Sequence, residues 1–208
     1  MRTKLQLIGL SLSILSGAIL ATIYLVWLTY PLEISFLGLE NVVYMKTADI
    51  SYNFNKLMTY LTNPFVTVLD MPNFSSSVNG LKHFSDVKSL FHIAQGIFVV
   101  TLPVVYFFVR DVVLKGYGKI AKKLIIWLAI TPLVIGLLGV LVGFDTFFVL
   151  FHTVLFPGDS TWLFNPNTDP VIYILPAEFF LHCFILFLVL YELFCGAWLL
   201  LLRRKRSK

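Results

Sequence analysis

Four apolar stretches of membrane-spanning length decide what this chain can be. They run roughly over residues 5–30, 90–109, 124–144 and 172–202, and each break between them is charged or rich in Pro, Gly and Asn. A helix needs about 20 apolar residues to cross the hydrocarbon layer, and helices satisfy their own backbone polar groups there. Such a chain folds as an integral membrane protein. The bulk composition agrees: 58% of the 208 residues are hydrophobic, 13% are charged and the mean hydropathy is +0.86, outside the range of a soluble domain. Leu5 to Leu15 followed by Ser16-Gly17-Ala18 faintly resembles a signal peptide, but the apolar run continues to Tyr30, too long for a signal-peptide core, and reads as an uncleaved anchor.

Orientation follows from Lys and Arg. Arg2 and Lys4, the loop with Arg110, Lys115, Lys119, Lys122 and Lys123, and the tail with Arg203, Arg204, Lys205, Arg206 and Lys208 carry twelve of the 16 basic residues. Positive loops stay in the cytoplasm, so both termini are expected inside and residues 31–88 and 145–171 outside. The pI of about 9.2 then reports topology and contact with anionic membrane lipids, not nucleic-acid binding.

The predicted fold class is a membrane α-helical protein, four transmembrane helices with a small extracytoplasmic α+β cap. The divisions are a first transmembrane helix (1–30), the cap (31–88), a second transmembrane helix (89–110), a cytoplasmic loop (111–123), a third transmembrane helix (124–144), an outer interfacial helix and loop (145–171), a fourth transmembrane helix (172–202) and a basic cytoplasmic tail (203–208). Within the cap, Pro31 is expected to stop the first helix. The alternation of Leu32, Ile34 and Phe36 with Glu33 and Ser35, followed by Val42, Val43 and Tyr44, predicts one or two strands. Ile50, Phe54, Leu57, Met58 and Leu61 recur at helical spacing, with Asp49 placed to cap and Asn63-Pro64 to terminate. Residues 65–69 read as another strand. The helical pattern of the third span continues past Asp145 to Phe156.

Polar chemistry concentrates in residues 144–180, where Asp145, His152, Asp159, Trp162, Asp169 and Glu178 sit beside apolar runs. There is no HExxH, no CxxC pair, no Walker loop, no GxSxG and no dinucleotide fingerprint, so no metal, nucleotide or other cofactor is expected. Cys183 and Cys195, twelve apart on one helix, lie roughly 18 Å from each other, beyond disulfide reach. Of four histidines, His83 and His152 stand out. Both fall on the expected outer side, each with a carboxylate in local reach: Asp86 for the first, and Asp145 two helical turns before the second. A carboxylate can fix an imidazole's tautomer and raise its basicity. From spacing alone a catalytic pair, ordinary polar packing and a metal site all stay open. Glu178 and His182, four apart, can pair, and Tyr52 and Tyr60 suit either a site or interfacial anchoring.

The order of short strings carries more than any one of them. Tyr52-Asn-Phe-Asn-Lys-Leu-Met-Thr-Tyr60-Leu, His83-Phe-Ser-Asp-Val-Lys88, Phe144-Asp-Thr-Phe-Phe-Val-Leu-Phe-His152, Trp162-Leu-Phe-Asn-Pro, Thr168-Asp-Pro170 and Leu175-Pro-Ala-Glu-Phe-Phe180 follow one another at intervals that resemble the bacterial lipoprotein intramolecular transacylase family, Lit. The resemblance covers essentially the whole chain. It implies transfer of the sn-2 acyl chain of a diacylglyceryl-cysteine lipoprotein to that cysteine's own α-amino group, giving the lyso-form. It also implies that His83 and His152 are catalytic, leaving open which is base and which acid, and that Tyr52, Tyr60, Asp86, Asp145, Trp162 and Asp169 support the site or bind substrate. The implied partners are a diacylated lipoprotein and membrane lipids, with no nucleic acid or nucleotide, in the cell membrane with an extracytoplasmic active site.

The chemistry suits such residues. An α-amino group of pKa about 7.7–8.0 is largely protonated near neutrality, and a histidine of about 6.5 can take its proton. Donor and acceptor share one molecule, so orientation alone can supply effective molarities of about 10⁵ M or more. Ester to amide is downhill and asks for no energy source. Direct aminolysis and an acyl-enzyme route both remain possible from sequence. The competing reading is a non-enzymatic four-span adaptor or assembly factor whose cap binds a partner.

Overall fold

The computed structural model describes residues 2–203. Of the expected basic tail, residues 204–208 lie outside the described residues. Seven α-helices follow in order: α1 Arg2–Leu37, α2 Leu39–Val43, α3 Thr47–Thr62, α4 Val78–Phe108, α5 Lys119–Val142, α6 Phe144–Leu155 and α7 Ala177–Leu201. A π-helical turn, Val109–Val113, extends α4, and a 3-10 turn, Pro170–Tyr173, precedes α7. Helices α1, α4, α5 and α7 are long and apolar enough to cross a membrane by length and composition.

No strand occurs among the described residues, so the expected α+β cap has no β component. Pro31 lies inside α1 instead of ending it. The alternation that predicts a strand is the end of this helix: Tyr30 and Ile34, four apart, are buried, while Leu32 and Phe36 are exposed. A run of five residues is too short to separate a period of two from one of 3.6. Val42 and Val43 belong to the short α2, and the chain reverses through Gly38 and Tyr44, both with positive φ. Residues 65–69 have no neighbouring strand. The segment begins in a turn at 64–65, where Phe65 donates its N–H to the side chain of Asn63 (2.9 Å) and Val66 to the Asn63 carbonyl (3.3 Å).

One further expectation changes in detail. Lys46 occupies the N-cap of α3. Asp49 stands within its first turn, where its charge faces the positive end of the helix dipole. The helical pattern past Asp145 continues to Leu155 as the separate element α6, divided from α5 by Gly143 at φ 85° and ψ 147°. That conformation is open to glycine and strained for other residues.

The chain divides into two compact units, Met1–Thr22 with Ile93–Leu141 and Ile185–Lys208, and Ile23–His92 with Val142–Phe184. The first has an apolar core in which Leu10, Ile14 and Ala18, spaced four apart on α1, meet Phe108, Val112, Ala121, Ile125, Tyr191 and Cys195. The second is tied together by aromatic and polar contacts. Tyr30, 1% exposed, donates its hydroxyl to the Ile174 carbonyl (2.6 Å) and stacks on Phe54 at 3.5 Å, with Phe179 edge-on to both. Asn53, fully buried on α3, donates to the carbonyls of Asp49 and of the Asn73 side chain (2.8 Å each) and accepts the Asn73 backbone N–H (3.1 Å).

Asn53 thus fastens α3 to the loop that leads into α4. In Asn53→Ala these hydrogen bonds are lost while Asn73, an exposed residue, turns to water, an expected loss of about 0.5–1.5 kcal/mol. Thermal unfolding of the detergent-solubilised protein measures it as a lowered Tm.

Candidate active site

The site grows from two helix starts in the second unit. At the first, the Asp169 side chain is 3% exposed and accepts the Ser77 N–H (2.7 Å) and the Thr168 hydroxyl (2.8 Å). It thereby covers the beginning of α4, whose unpaired N–H groups and dipole favour a carboxylate. A Cβ on Gly80 would lie 2.1 Å from Asp169 Oδ1, so only glycine permits this approach. His83 follows one turn later. At the second, Gly143 releases the chain into α6, an amphipathic helix on which His152 is the buried residue.

The structure brings His83 and His152 together. Their rings are 5.8 Å apart, centroid to centroid, at 37°, and each residue is 8% exposed. The His152 Nδ1 lies 2.8 Å from the Phe148 carbonyl. A carbonyl only accepts, so Nδ1 carries the proton and Nε2 is left with a lone pair. Burial pushes the His152 imidazole below its usual value, and the Phe148 carbonyl offsets this in part. The His83 Nδ1 is buried with no hydrogen-bond partner.

A cover of aromatic side chains encloses both rings. Trp162 stacks on His152 at 4.7 Å, and Phe148 lies 4.2 Å from it. Phe156 and Phe164 stand edge-on to His83 at 5.0 and 5.6 Å. The loop carrying Trp162 and Phe164 is held by Asp159, whose carbonyl accepts the Trp162 indole N–H (3.1 Å) and whose carboxylate accepts the Thr161 N–H (2.8 Å). Lys82, beside His83 on α4, forms an ion pair with Asp159 and another with Asp86 (2.8 Å). The Lys82 ammonium, and after it the Thr161 N–H, holds the Asp159 carboxyl well below the usual carboxylate range. A cavity of about 330 Å³ lined by Thr161, Leu163, Asn165 and the start of α4 lies beside this loop; neither imidazole is among its walls.

The other residues singled out from the sequence fall in different places. Neither expected orienting carboxylate serves its histidine. Asp86 bonds Lys82, and Asp145 is exposed in the first turn of α6 while His152 turns to a backbone carbonyl. Local carboxylates lose because His152 sits one turn after Phe148, within direct reach of its carbonyl. Trp162 is at the histidines, and Asp169 is at the α4 start. Tyr60 is buried beneath the Lys88 ammonium (4.3 Å), whereas Tyr52 is half exposed with Lys56 over its ring at 5.2 Å. Glu178 does not pair with His182; Glu33 of α1 does, at 2.8 Å. Sequence reasoning noted Asp159 among the polar residues of 144–180 without giving it a role, and missed Lys82, Phe156 and Phe164 as parts of the site. Their residue types carry no signal, and Lys82 and Asp159 are 77 positions apart.

A family model described as lipoprotein intramolecular transacylase Lit matches residues 4–180. Among solved structures, the membrane-integral lipoprotein intramolecular transacylase Lit from Bacillus cereus is 28% identical, with a TM-score of 0.83 over 95% of this chain and 90% of that one. Two structures of the same protein, with a histidine-to-arginine and a histidine-to-alanine substitution, are each 29% identical over 97% of this chain, at TM-scores of 0.78 and 0.77 and covering 89% and 90% of theirs. None of the curated proteins compared matches. The matched family is enzymatic, which sets aside the adaptor reading. With the family match spanning most of its length and four helices able to cross a membrane, the chain belongs to the lipoprotein intramolecular transacylase family Lit and is a multi-pass membrane acyltransferase.

Proposed function

We propose that the protein moves the sn-2 acyl chain of a diacylglyceryl-cysteine lipoprotein to the α-amino group of the same cysteine, with His152 and His83 passing the protons, at the extracytoplasmic face of the membrane. The observation that carries this reading is the buried imidazole pair at 5.8 Å, one ring fixed through Nδ1 on a backbone carbonyl and the other with an unpartnered Nδ1. Unpaired buried polar atoms are rare and call for an explanation; an incoming substrate group supplies one.

The proton balance needs no further reactant. The neutral amine attacks the ester carbonyl and forms the C–N bond. His152 Nε2 takes one proton from the attacking nitrogen and passes it on through His83 to the glycerol oxygen, which leaves as an alcohol as the ester C–O bond to glycerol breaks. A neutral His152 near pH 7 is the form that can act as base. Burial among Phe148, Phe156, Trp162 and Phe164 strengthens each charge interaction there relative to water. Trp162 and the tyrosines Tyr52 and Tyr60 would bear on substrate placement, and Asp169 on the setting of α4.

Mass spectrometry of a diacylated lipopeptide incubated with the purified protein tests the reaction. The expected product has unchanged mass and one acyl chain on the amino terminus. In a mixture of heavy- and light-acyl substrates, no crossed products form. Unmoved acyl chains, or chains exchanged between molecules, would overturn the reading.

A further inference from the structure

With each histidine 8% exposed, the structure poses a problem of access. A reacting group must come within about 2.6–3.2 Å of its acid or base, and here the space over the rings is filled by Phe156, Trp162 and Phe164. These residues lie on α6's end and on the loop after it. Two further contacts decide how that segment is held. Asp159 braces Trp162 and Thr161 from inside the loop, and Lys82 joins Asp159 to α4 beside His83.

We propose that the loop from Phe156 to Phe164 is a movable cover over the histidine pair and that the Lys82–Asp159 ion pair is its latch, making both residues positioning residues for acyl transfer. The inference rests on the reading that His83 and His152 are catalytic. Lys82 suits a latch because its ammonium is shared. When Asp159 leaves with the loop, Asp86, one turn along α4 at 2.8 Å, keeps the cation partnered. Opening therefore strands no charge at Lys82, and closing restores the Trp162 stack on His152. Lys82 is half exposed, and exposed ion pairs add little to overall stability. Breaking the latch thus changes where the loop rests without unfolding the protein.

The test uses the full-length protein in detergent micelles with the lipopeptide substrate and three variants. In Lys82→Met and Asp159→Asn, kcat should fall at least about tenfold with KM not raised, because small misplacements of a catalytic group cost up to about 10²-fold while entry becomes easier. The second readout is carbethoxylation of individual histidines, followed by peptide mass mapping. His152 should react several-fold faster in both variants, and His182, held by Glu33, should react at the wild-type rate. Lys82→Arg keeps the cation and should restore both readouts. Wild-type kcat and His152 reactivity in the Met and Asn variants, or an Arg variant as impaired as the Met one, would overturn the proposal. The two readings fail separately: active His83→Ala and His152→Ala variants would sink the catalytic assignment, whereas His152 reactivity reports on the cover alone.

Discussion

His152→Ala should lose about 10²–10⁴-fold in kcat at pH 7, the usual contribution of a positioned acid or base, and His83→Ala should lose a similar amount. For His152 the reason is specific. Its Nδ1–H is committed to the Phe148 carbonyl, which fixes the tautomer that leaves the basic lone pair on Nε2. The pH dependence follows from the burial that lowers its pKa. An ordinary imidazole titrates near 6.5; this one stays neutral to lower pH, so kcat should hold level at pH 7 and fall only as pH drops through the lowered value. Stability has the same sign. The folded state resists protonation more than the unfolded chain, so the contribution is full above about 6.5 and is lost as pH falls through the folded-state value. In kcat/KM a second limb, from the substrate amine at about 7.7–8.0, should keep the rate rising toward pH 8. Initial rates over pH 5–9 check both limbs. An acid limb in kcat centred at or above 6.5, or a His152→Ala enzyme within tenfold of wild type, would contradict the assignment.

Gly80→Val should be the most damaging change away from the imidazoles. Its Cβ would meet Asp169 Oδ1 at 2.1 Å and Cγ at 3.0 Å, and that oxygen is held in place by the Ser77 N–H. Either the carboxylate is expelled, freeing the Ser77 N–H it accepts, or the start of α4 shifts. Overpacking costs about 1–3 kcal/mol and loss of a helix cap about 0.5–2 kcal/mol, together roughly 3 kcal/mol. Because Lys82 and His83 ride on that first stretch of helix, activity should fall with stability. Gly96→Ala, on the same helix with nothing within 4 Å of its added carbon, is the control. It should leave Tm unchanged or raise it, since alanine favours helix by up to about 1 kcal/mol over glycine. Thermal unfolding and lipopeptide turnover on both variants measure the contrast.

The misreadings share a cause. Strands at 32–44 and 65–69 were expected from alternation over a few residues, a pattern that a helix face of Tyr30 and Ile34 reproduces. The orienting carboxylates were expected from proximity in sequence, yet Asp86 bonds Lys82 and the His152 Nδ1 bonds the Phe148 carbonyl. The pairing of His182 with Glu33 crosses from α7 to α1, where no local spacing could announce it.

Hydrophobic runs are long, contiguous and priced by the bilayer, so the number of long helices and their apolar character were already written in the order of amino acids, as were the short strings that carry the family. Which side chains enclose the imidazoles was decided by the fold alone. His83 and His152 stand 69 positions apart, and the contacts that cover and latch them, Trp162 and Phe164 from a loop and Lys82 to Asp159, join segments whose meeting depends on how α4 begins and how Gly143 turns α6. Long-range contacts of this kind obey packing and hydrogen-bond geometry in three dimensions, and those are not periodic in the chain.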